Sequence, residues 1–96
     1  GVTSIGNLAF SDFTSLTSII IPEGVTSMGD SVLSNCTSLA NITIPSSVTS
    51  IGREVFCRCT SLETITFQGT EEQWNAISKG YHWDYSTGSY TLIFEN

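Results

Sequence analysis

The chain has 96 residues, which corresponds to one domain. Nine acidic and three basic residues give a formal net charge of −6, which excludes nucleic-acid binders and polybasic membrane anchors because both need clustered positive charge. Hydrophobic residues make up 40% of the chain and charged residues 12%, so a disordered chain is also excluded. No apolar run approaches the roughly 18 residues of a membrane span, and we expect no membrane insertion. Residues 1–6 lack the basic start of a signal peptide.

A 23-residue internal repeat organises most of the chain. The pentapeptide VTSIG at residues 2–6 returns as VTSMG at 25–29 and as VTSIG at 48–52, without gaps. Such a period is typical of a solenoid, in which each unit contacts only its neighbours. The chain therefore divides into three repeats (2–24, 25–47 and 48–70) and a C-terminal capping segment (71–96).

Each repeat carries one predicted strand. In the first repeat, Leu16, Ile19 and Ile21 follow the pattern LxxIxI, whose alternation places apolar side chains on one face of a strand. Pro22, like Pro45 in the second repeat, ends the strand because proline has no N–H to donate. One strand cannot bury its apolar face alone, whereas stacked copies share a core, with parallel strands about 4.8 Å apart. The fold class is therefore a repeat solenoid that is mainly β.

The opposite wall of each repeat is predicted from its large apolar residues. Ala9 and Phe10, with their counterparts in the other repeats, supply these side chains on a short helical turn, although a strand also fits residues 9–13. Gly6 and the equivalent glycines mark tight returns, where a Cβ would cost conformational energy.

The repeat unit VTSIGxxxFxxCTSLxxIxIP resembles the BspA-like (Treponema-type) leucine-rich repeat. Residues 48–66 match it closely, with Val55 where the family more often has Ala. The first repeat departs from it with Phe13 in the cysteine column, and the third with Gln68 in place of proline. The resemblance implies a right-handed solenoid with a concave parallel sheet. It also implies an extracellular or cell-surface location in host-associated bacteria or some protists, with roles in adhesion and protein binding.

A helix is predicted to begin the capping segment. Thr70 and Gln73 form a capping box, and acidic residues occupy the first turn between them. We expect a helix over about residues 71–78, with Gly80 suited to its C-terminal stop.

The capping segment is rich in aromatic residues. Trp74 and Ile77 fall on one helix face, residues 90–94 (YTLIF) are typical of a strand, and both tryptophans and all three tyrosines lie within 71–96. The favoured interpretation is a helix-plus-strand cap that seals the end of the solenoid. The alternative is an exposed carbohydrate-binding platform formed by Trp74, Trp83 or the tyrosines.

The first repeat begins without a comparable cover, so its apolar edge is predicted to be exposed. We expect either further repeats in the parent protein or burial against another molecule, including a homodimer through this edge.

Two of the three cysteines are predicted to lie in the core, and the redox state of the third, Cys57, is left open. Cys36 and Cys59 share the repeat column of Phe13, which indicates core packing rather than a disulfide. Cys57 shares the column of Ser11 and is predicted to be exposed. The CxC spacing is too short for a zinc knuckle, so no metal site and no cofactor are expected.

No catalytic site is predicted. Cys57 and His82 could pair on paper as nucleophile and base, but they lie on different modules and no orienting carboxylate accompanies them. The repeat acids fall in different columns, so they form neither a carboxylate pair nor a calcium ladder: Asp12, Glu23, Asp30, Glu54 and Glu63.

The outward face of the predicted sheet is the candidate binding surface. Its residues alternate with the inward Leu and Ile columns: Ser18, Ile20, Asn41, Thr43, Thr64 and Thr66. They are either ordinary strand residues facing water or a surface that meets a protein partner, on a host or another cell surface, through many weak polar contacts. The sequence therefore predicts a noncatalytic, extracellular binding module. The alternative is a carbohydrate- or cell-wall-binding accessory domain of a larger secreted enzyme.

Overall fold

A computed structural model describes residues 3–87 and 89–95. Val2, which opens the first predicted repeat, and Asn96, which closes the predicted cap, lie outside the described residues. The elements in chain order are β1 Ser4–Ile5, β2 Ser18–Ile20, β3 Ser27–Met28, β4 Asn41–Pro45, β5 Ser50–Ile51, β6 Thr64–Gln68, α1 Glu71–Ala76, β7 Ser78–Lys79 and β8 Thr91–Phe94.

The strands form two parallel sheets. The short sheet has the order β1-β3-β5-β7 and the long sheet the order β2-β4-β6-β8. Ser4 pairs with Ser27 and Ser27 with Ser50, so each strand lies beside its equivalent in the next repeat. The chain is therefore a mainly β solenoid of four coils, which confirms the predicted fold class. We number the coils first (3–24), second (25–47), third (48–70) and fourth (71–95).

The third wall consists of turns rather than of a helix. We call it the turn wall (residues 7–13 and their equivalents). The N–H of Phe10 donates to the carbonyl of Val32 in the next coil at 2.9 Å, whereas the N–H of Ser11 donates within its own coil to Leu8 at 3.1 Å. Positive φ angles of 62° at Leu8 and 66° at Asp12 produce this alternation. An α-helix would direct these N–H groups along its own axis, whereas the turn wall uses half of them to hold the coils together.

The core is one cluster of stacked apolar columns. Apart from Ile21 of the first coil, its largest fully buried side chains come from the second and third coils: Phe56, Phe67, Leu33, Leu39, Leu62, Ile42, Ile44 and Ile65. Phe13 departs from its column. Cys36 and Cys59 are fully buried, but Phe13 is 52% exposed. Its ring is much larger than a thiol and its coil has a described neighbour on one side only, so the ring leans on Phe10 at 5.9 Å instead.

The capping segment continues both sheets as a fourth coil. Ser78 pairs with Ser50, and Thr91 pairs with Thr64, so each strand of this coil lies beside its equivalent in the third coil. Both pairs are farther apart along the chain than the repeat period, and the extra residues form α1, which occupies the corner between the two sheets.

The helix itself is shorter than predicted. The capping box is present, since Thr70 accepts from the Gln73 N–H at 3.1 Å and the Gln73 side chain accepts from the Thr70 N–H at 2.8 Å. The helix ends at Ala76, however, and Gly80 is not its stop. The N–H of Gly80 donates to the carbonyl of Ile51 at 2.8 Å, the bond that Gly52 makes to Met28 at the same distance, so Gly80 is a repeat glycine.

The glycine column lets neighbouring coils approach closely. A Cβ on Gly52 would lie 2.5 Å from the carbonyl oxygen of Gly29 and 2.6 Å from Oδ1 of Asp30. Beside this column, Oδ1 of Asn7 accepts the N–H of Asp30 at 2.7 Å, and Oδ1 of Asp30 accepts the N–H of Arg53 at 2.9 Å. Side-chain oxygens therefore join the first coil to the second and the second coil to the third.

Candidate binding surface

The outer face of the long sheet carries two rows of side chains across four strands. The strand register aligns every predicted site residue in these rows and adds two more: Ser18, Asn41, Thr64 and Thr91 in one row, and Ile20, Thr43, Thr66 and Ile93 in the other. The inward residues between them, such as Ile42 and Ile65, are buried. Strand alternation therefore places the rows on the solvent side, with Ser18, Ile20 and Asn41 exposed and Thr43, Thr64 and Thr66 half-buried.

The face is uncharged and has an apolar side chain at each end of one row. Ile20 is 73% exposed and Ile93 is 41% exposed, with the hydroxyl groups of Thr43 and Thr66 between them. At about 4.8 Å between strands, the row extends over roughly 14 Å. Such a face offers two apolar contacts and a set of hydroxyl and amide groups that both donate and accept hydrogen bonds.

Thr91 and Ile93 were missed from the sequence because of the inserted helix. Their segment shows the same alternation as the other strands, but its longer offset from the third coil conceals it from a search at the repeat period. An alignment of the repeats that allows an insertion after Gly69 would have found both residues.

Cys36 and Cys59 form a hydrogen-bonded column inside the core. The thiol of Cys36 donates to the carbonyl of Phe10, and the thiol of Cys59 donates to the carbonyl of Leu33, each at 3.1 Å. Burial raises the pKa of both thiols, that of Cys59 to about 12. All three cysteines are free thiols. The predicted core role of Cys36 and Cys59 is confirmed, and both are inert neutral thiols at physiological pH.

The predicted exposure of Cys57 is wrong, because its side chain is only 8% exposed. Its carbonyl accepts from Asn35 of the second coil at 2.7 Å, and the next residue, Arg58, donates to Tyr85 of the fourth coil at 3.1 Å. Cys57 therefore lies between two coils, since the fourth coil continues the turn wall beyond it.

The tryptophans close the fourth coil. Trp74 is 5% exposed, and its ring meets Phe67 edge-on at 5.3 Å and Trp83 at 5.8 Å. Trp83 also packs against Phe56 at 6.0 Å and Tyr90 at 6.5 Å. Trp74 is buried and cannot form an exposed platform, and Trp83 is held half-buried by its contacts with Trp74, Phe56 and Tyr90.

Tyr90 is tied into the same cluster. Its hydroxyl donates to Oδ2 of Asp84 at 2.9 Å. Burial first, and then the Asp84 carboxylate, raise the pKa of the Tyr90 phenol.

An exposed stack of three rings remains outside the core. His82 lies between Tyr81 and Tyr85, with centroid separations of 3.8 Å and 4.4 Å. Tyr81 is 69% and Tyr85 is 54% exposed. Because the rings face one another, only the outer faces of the two tyrosines are open. Of the nucleophile and base considered from the sequence, His82 belongs to this exposed stack, whereas the thiol of Cys57 is buried.

Lys79 occupies the end of a core column. Its ammonium donates to the carbonyls of Trp74 at 2.8 Å and Ile77 at 3.4 Å, at the C-terminus of α1. It also lies 4.8 Å from the Trp74 ring centroid and 5.9 Å from that of Trp83. Desolvation lowers the pKa of Lys79. The repeat pattern in the sequence did not predict a role for Lys79.

The first coil borders an apolar cleft of about 540 Å³. It is lined by Ser4, Ile5, Ala9, Phe10, Ile19, Ile20, Ile21, Pro22 and Val25. This is the apolar edge expected from the sequence, and a homodimer through it stays a prediction.

The remaining charged and metal-ligating side chains form no further candidate site among the described residues. Arg53 Nε lies 3.9 Å from Asp30 Oδ2 with both side chains largely exposed, a contact of little energetic weight. Residues 3–87 and 89–95 contain no group of three or more His, Cys, Asp or Glu side chains that could hold a metal ion. In the same part of the chain, no helix has the length and apolar character needed to cross a membrane.

The stacked coils, the LxxIxI strands and the two parallel sheets define a solenoid of the leucine-rich-repeat class. The family model described as "BspA type Leucine rich repeat region (6 copies)" matches residues 1–81. The chain belongs to this family, which confirms the resemblance seen in its sequence.

A solved structure supports the same fold. The crystal structure of a leucine rich cell surface protein from Faecalibacterium prausnitzii A2-165 is 45% identical and superposes with a TM-score of 0.77, over 79% of this chain. The match covers 20% of that protein, so the present chain spans about a fifth of its length. No curated protein sequence matches the chain.

Proposed function

We propose that this chain is a noncatalytic binding module of a secreted or cell-surface protein, and that the outer face of the long sheet meets a protein partner in adhesion. The observation that carries the proposal is the pair of in-register rows on that face, uncharged and bounded by the exposed Ile20 and Ile93. The likeness to a bacterial cell surface protein supports the location.

The rows suit contact with a folded protein surface rather than a small ligand. They form a broad face, and the apolar cleft of about 540 Å³ lies at its edge, beside Ile20. Four strands offer less than the roughly 800 Å² per partner of a standard interface. We therefore expect weak binding by this module alone and stronger binding when more coils contribute to the same face.

A matched pair of double variants tests the proposal. Thr43→Lys with Thr66→Lys places two charges in the middle of the face, whereas Thr37→Lys with Thr60→Lys places the same charges at exposed positions of the same two coils, outside the face. The probe is a panel of immobilised extracellular-matrix and serum proteins, with binding followed by surface plasmon resonance. For any protein that binds wild type, we expect the first variant to lose at least ten times more affinity than the second, because an unpaired charge buried at an interface is costly. A tenfold loss of affinity corresponds to about 1.4 kcal/mol of binding free energy. Equal losses in the two variants would remove the face from the proposal.

A second candidate function is carbohydrate binding, as part of an accessory domain, and the Tyr81–His82–Tyr85 stack favours it. The outer faces of Tyr81 and Tyr85 are open to solvent. Tyr85→Ala should abolish binding to a glycan array and leave the fold intact. Trp83→Ala is the contrasting variant, and we expect it to destabilise the domain because Trp83 packs against Phe56 and Trp74.

A further inference from the structure

Both ends of the solenoid carry half-buried apolar side chains. Those of the first coil are Ile5, Phe10, Leu16 and Ile19, and those of the fourth coil are Trp83, Tyr90, Leu92 and Phe94. Every joint between coils uses the same parallel pairing, so the first coil of one molecule could continue the sheets of another by stacking on its fourth coil. Such a head-to-tail contact is heterologous and leaves both outer ends free, so it would grow into filaments.

One core column changes character at the fourth coil. Ile5 pairs with Met28, Met28 with Ile51, and Ile51 with Lys79. The column therefore has three apolar side chains and then an ammonium group. The ammonium stands at the position on which a fifth coil or a second copy would stack.

The position of this ammonium is fixed across the end of the core. Of its three N–H donors, two have acceptors at Trp74 and Ile77, and the half-exposed side chain leaves the third to water. The Trp74 ring also stabilises the cation, since its centroid lies 4.8 Å from the Nζ atom of Lys79. A coil stacked on this end would remove the water and bury a charge with an unpaired donor, which is strongly unfavourable.

We infer that Lys79 makes the outer edge of the fourth coil non-associating, by blocking the head-to-tail stacking of a second copy of this chain on β7 and β8. The inference goes beyond the proposed function, since it concerns the end of the solenoid and not the outer face of the long sheet. Desolvation already lowers the pKa of Lys79, so further burial of this side chain would act against its charged form.

The test is the solution mass of Lys79→Met, measured by light scattering across a concentration series. Methionine keeps a long side chain and removes the charge, so the weight-average mass should at least double relative to wild type and continue to rise beyond a dimer. Lys79→Arg keeps the charge and should behave as wild type.

Two further variants separate the inference from other causes. Arg53→Met removes the same charge from a side chain that is 67% exposed, and it should not associate. Lys79→Met combined with Ile5→Lys places a charge on the opposite end and should return the mass to that of wild type. A head-to-head dimer through the first coil would instead stop at two molecules and would be equal in wild type and Lys79→Met.

The inference is overturned if Lys79→Met is folded by circular dichroism and has the mass of wild type at every concentration. Should that variant unfold, Lys79→Ile restores the residue found at Ile5 and Ile51 and must associate in its place. Unfolding of both variants would also overturn the inference, because Lys79 would then hold the fourth coil together rather than prevent association.

Discussion

The first and fourth coils continue the same two sheets but end the core in different ways. We call the first coil the open end and the fourth coil the closed end. At the open end, side chains of the repeat itself border a cleft of about 540 Å³, and Phe13 lies on the surface. At the closed end, Trp74 is the buried residue of α1, and Lys79 follows Ile51 at the end of a core column.

The difference shows that sealing a solenoid needs residues that the repeat does not contain. Four coils with similar strands would have two similar ends. The residues inserted before β7 bring Trp74 over Phe67 and provide carbonyl acceptors for Lys79. The closed end therefore comes from an insertion into the repeat, whereas the strand pattern continues through it.

The largest effect is expected from removing the ring that seals the closed end. Trp74→Ala would leave a cavity beside Phe67 and Trp83 and should lower the free energy of unfolding by about 3–5 kcal/mol. Phe13→Ala at the open end should cost about 1 kcal/mol or less, because the ring is half-exposed and has one aromatic neighbour. Urea unfolding followed by circular dichroism measures both. Equal losses would show that the two ends are energetically equivalent and would contradict the comparison.

The glycine column gives a second comparison, between the interior and the open end. Gly52→Ala should lower the free energy of unfolding by about 1–3 kcal/mol, because its Cβ meets backbone atoms of the second coil. A Cβ on Gly6 meets nothing within 4 Å and its φ is not positive, so Gly6→Ala should be neutral or stabilise by about 0.5 kcal/mol, through a less flexible unfolded chain.

Thermal unfolding of the two glycine variants checks this pair. If Gly6→Ala were as destabilising as Gly52→Ala, another coil or molecule must press on Gly6 in solution, and the first coil would not be open.

A smaller effect is expected in alkaline solution. The folded-state pKa of Cys59, about 12, lies above the thiol's ordinary value of 9.0. Above that ordinary value the unfolded chain releases the proton while the folded chain keeps it, so stability falls as the pH rises towards 12. The loss between the ordinary thiol value and a pH one to two units higher should be on the order of 1 kcal/mol.

Two variants divide the alkaline loss between the interior and the closed end. Cys59→Ala should flatten the decrease that comes from the core thiol. Tyr90→Phe should remove the part that comes from the closed end, where the pKa of the phenol is raised in the same direction. Urea unfolding at neutral and alkaline pH measures both, and an unchanged pH dependence in Cys59→Ala would contradict the burial of its thiol as the cause.

The parts of the fold that depend on strict periodicity could be predicted from the sequence. The stacking of Ile19 on Ile42 and of Ile42 on Ile65 follows from the 23-residue spacing and strand alternation. The burial of Cys36 and Cys59 follows for the same reason, since a column keeps its position in every interior coil.

The parts that depend on an interruption of the period could not be predicted in the same way. Ser78 and Lys79 correspond to Ser50 and Ile51, but the inserted α1 and the change from Ile to Lys conceal the match. Because the sequence did not indicate a fourth coil, Cys57 was predicted to be exposed and Gly80 was interpreted as the C-terminal stop of the helix. The residues predicted for the outer face lie on the solvent side of β2, β4 and β6, and the fourth strand of that face was missed for the same reason.

The joints between coils have a consequence for length. Asn7 holds the second coil and Asp30 holds the third through the same contact between a side-chain oxygen and a backbone N–H, in the same register. A duplicate of residues 25–47 inserted at such a joint would meet the same partners on both sides. Each added copy would therefore lengthen the solenoid by one strand spacing, about 4.8 Å, without any new kind of contact.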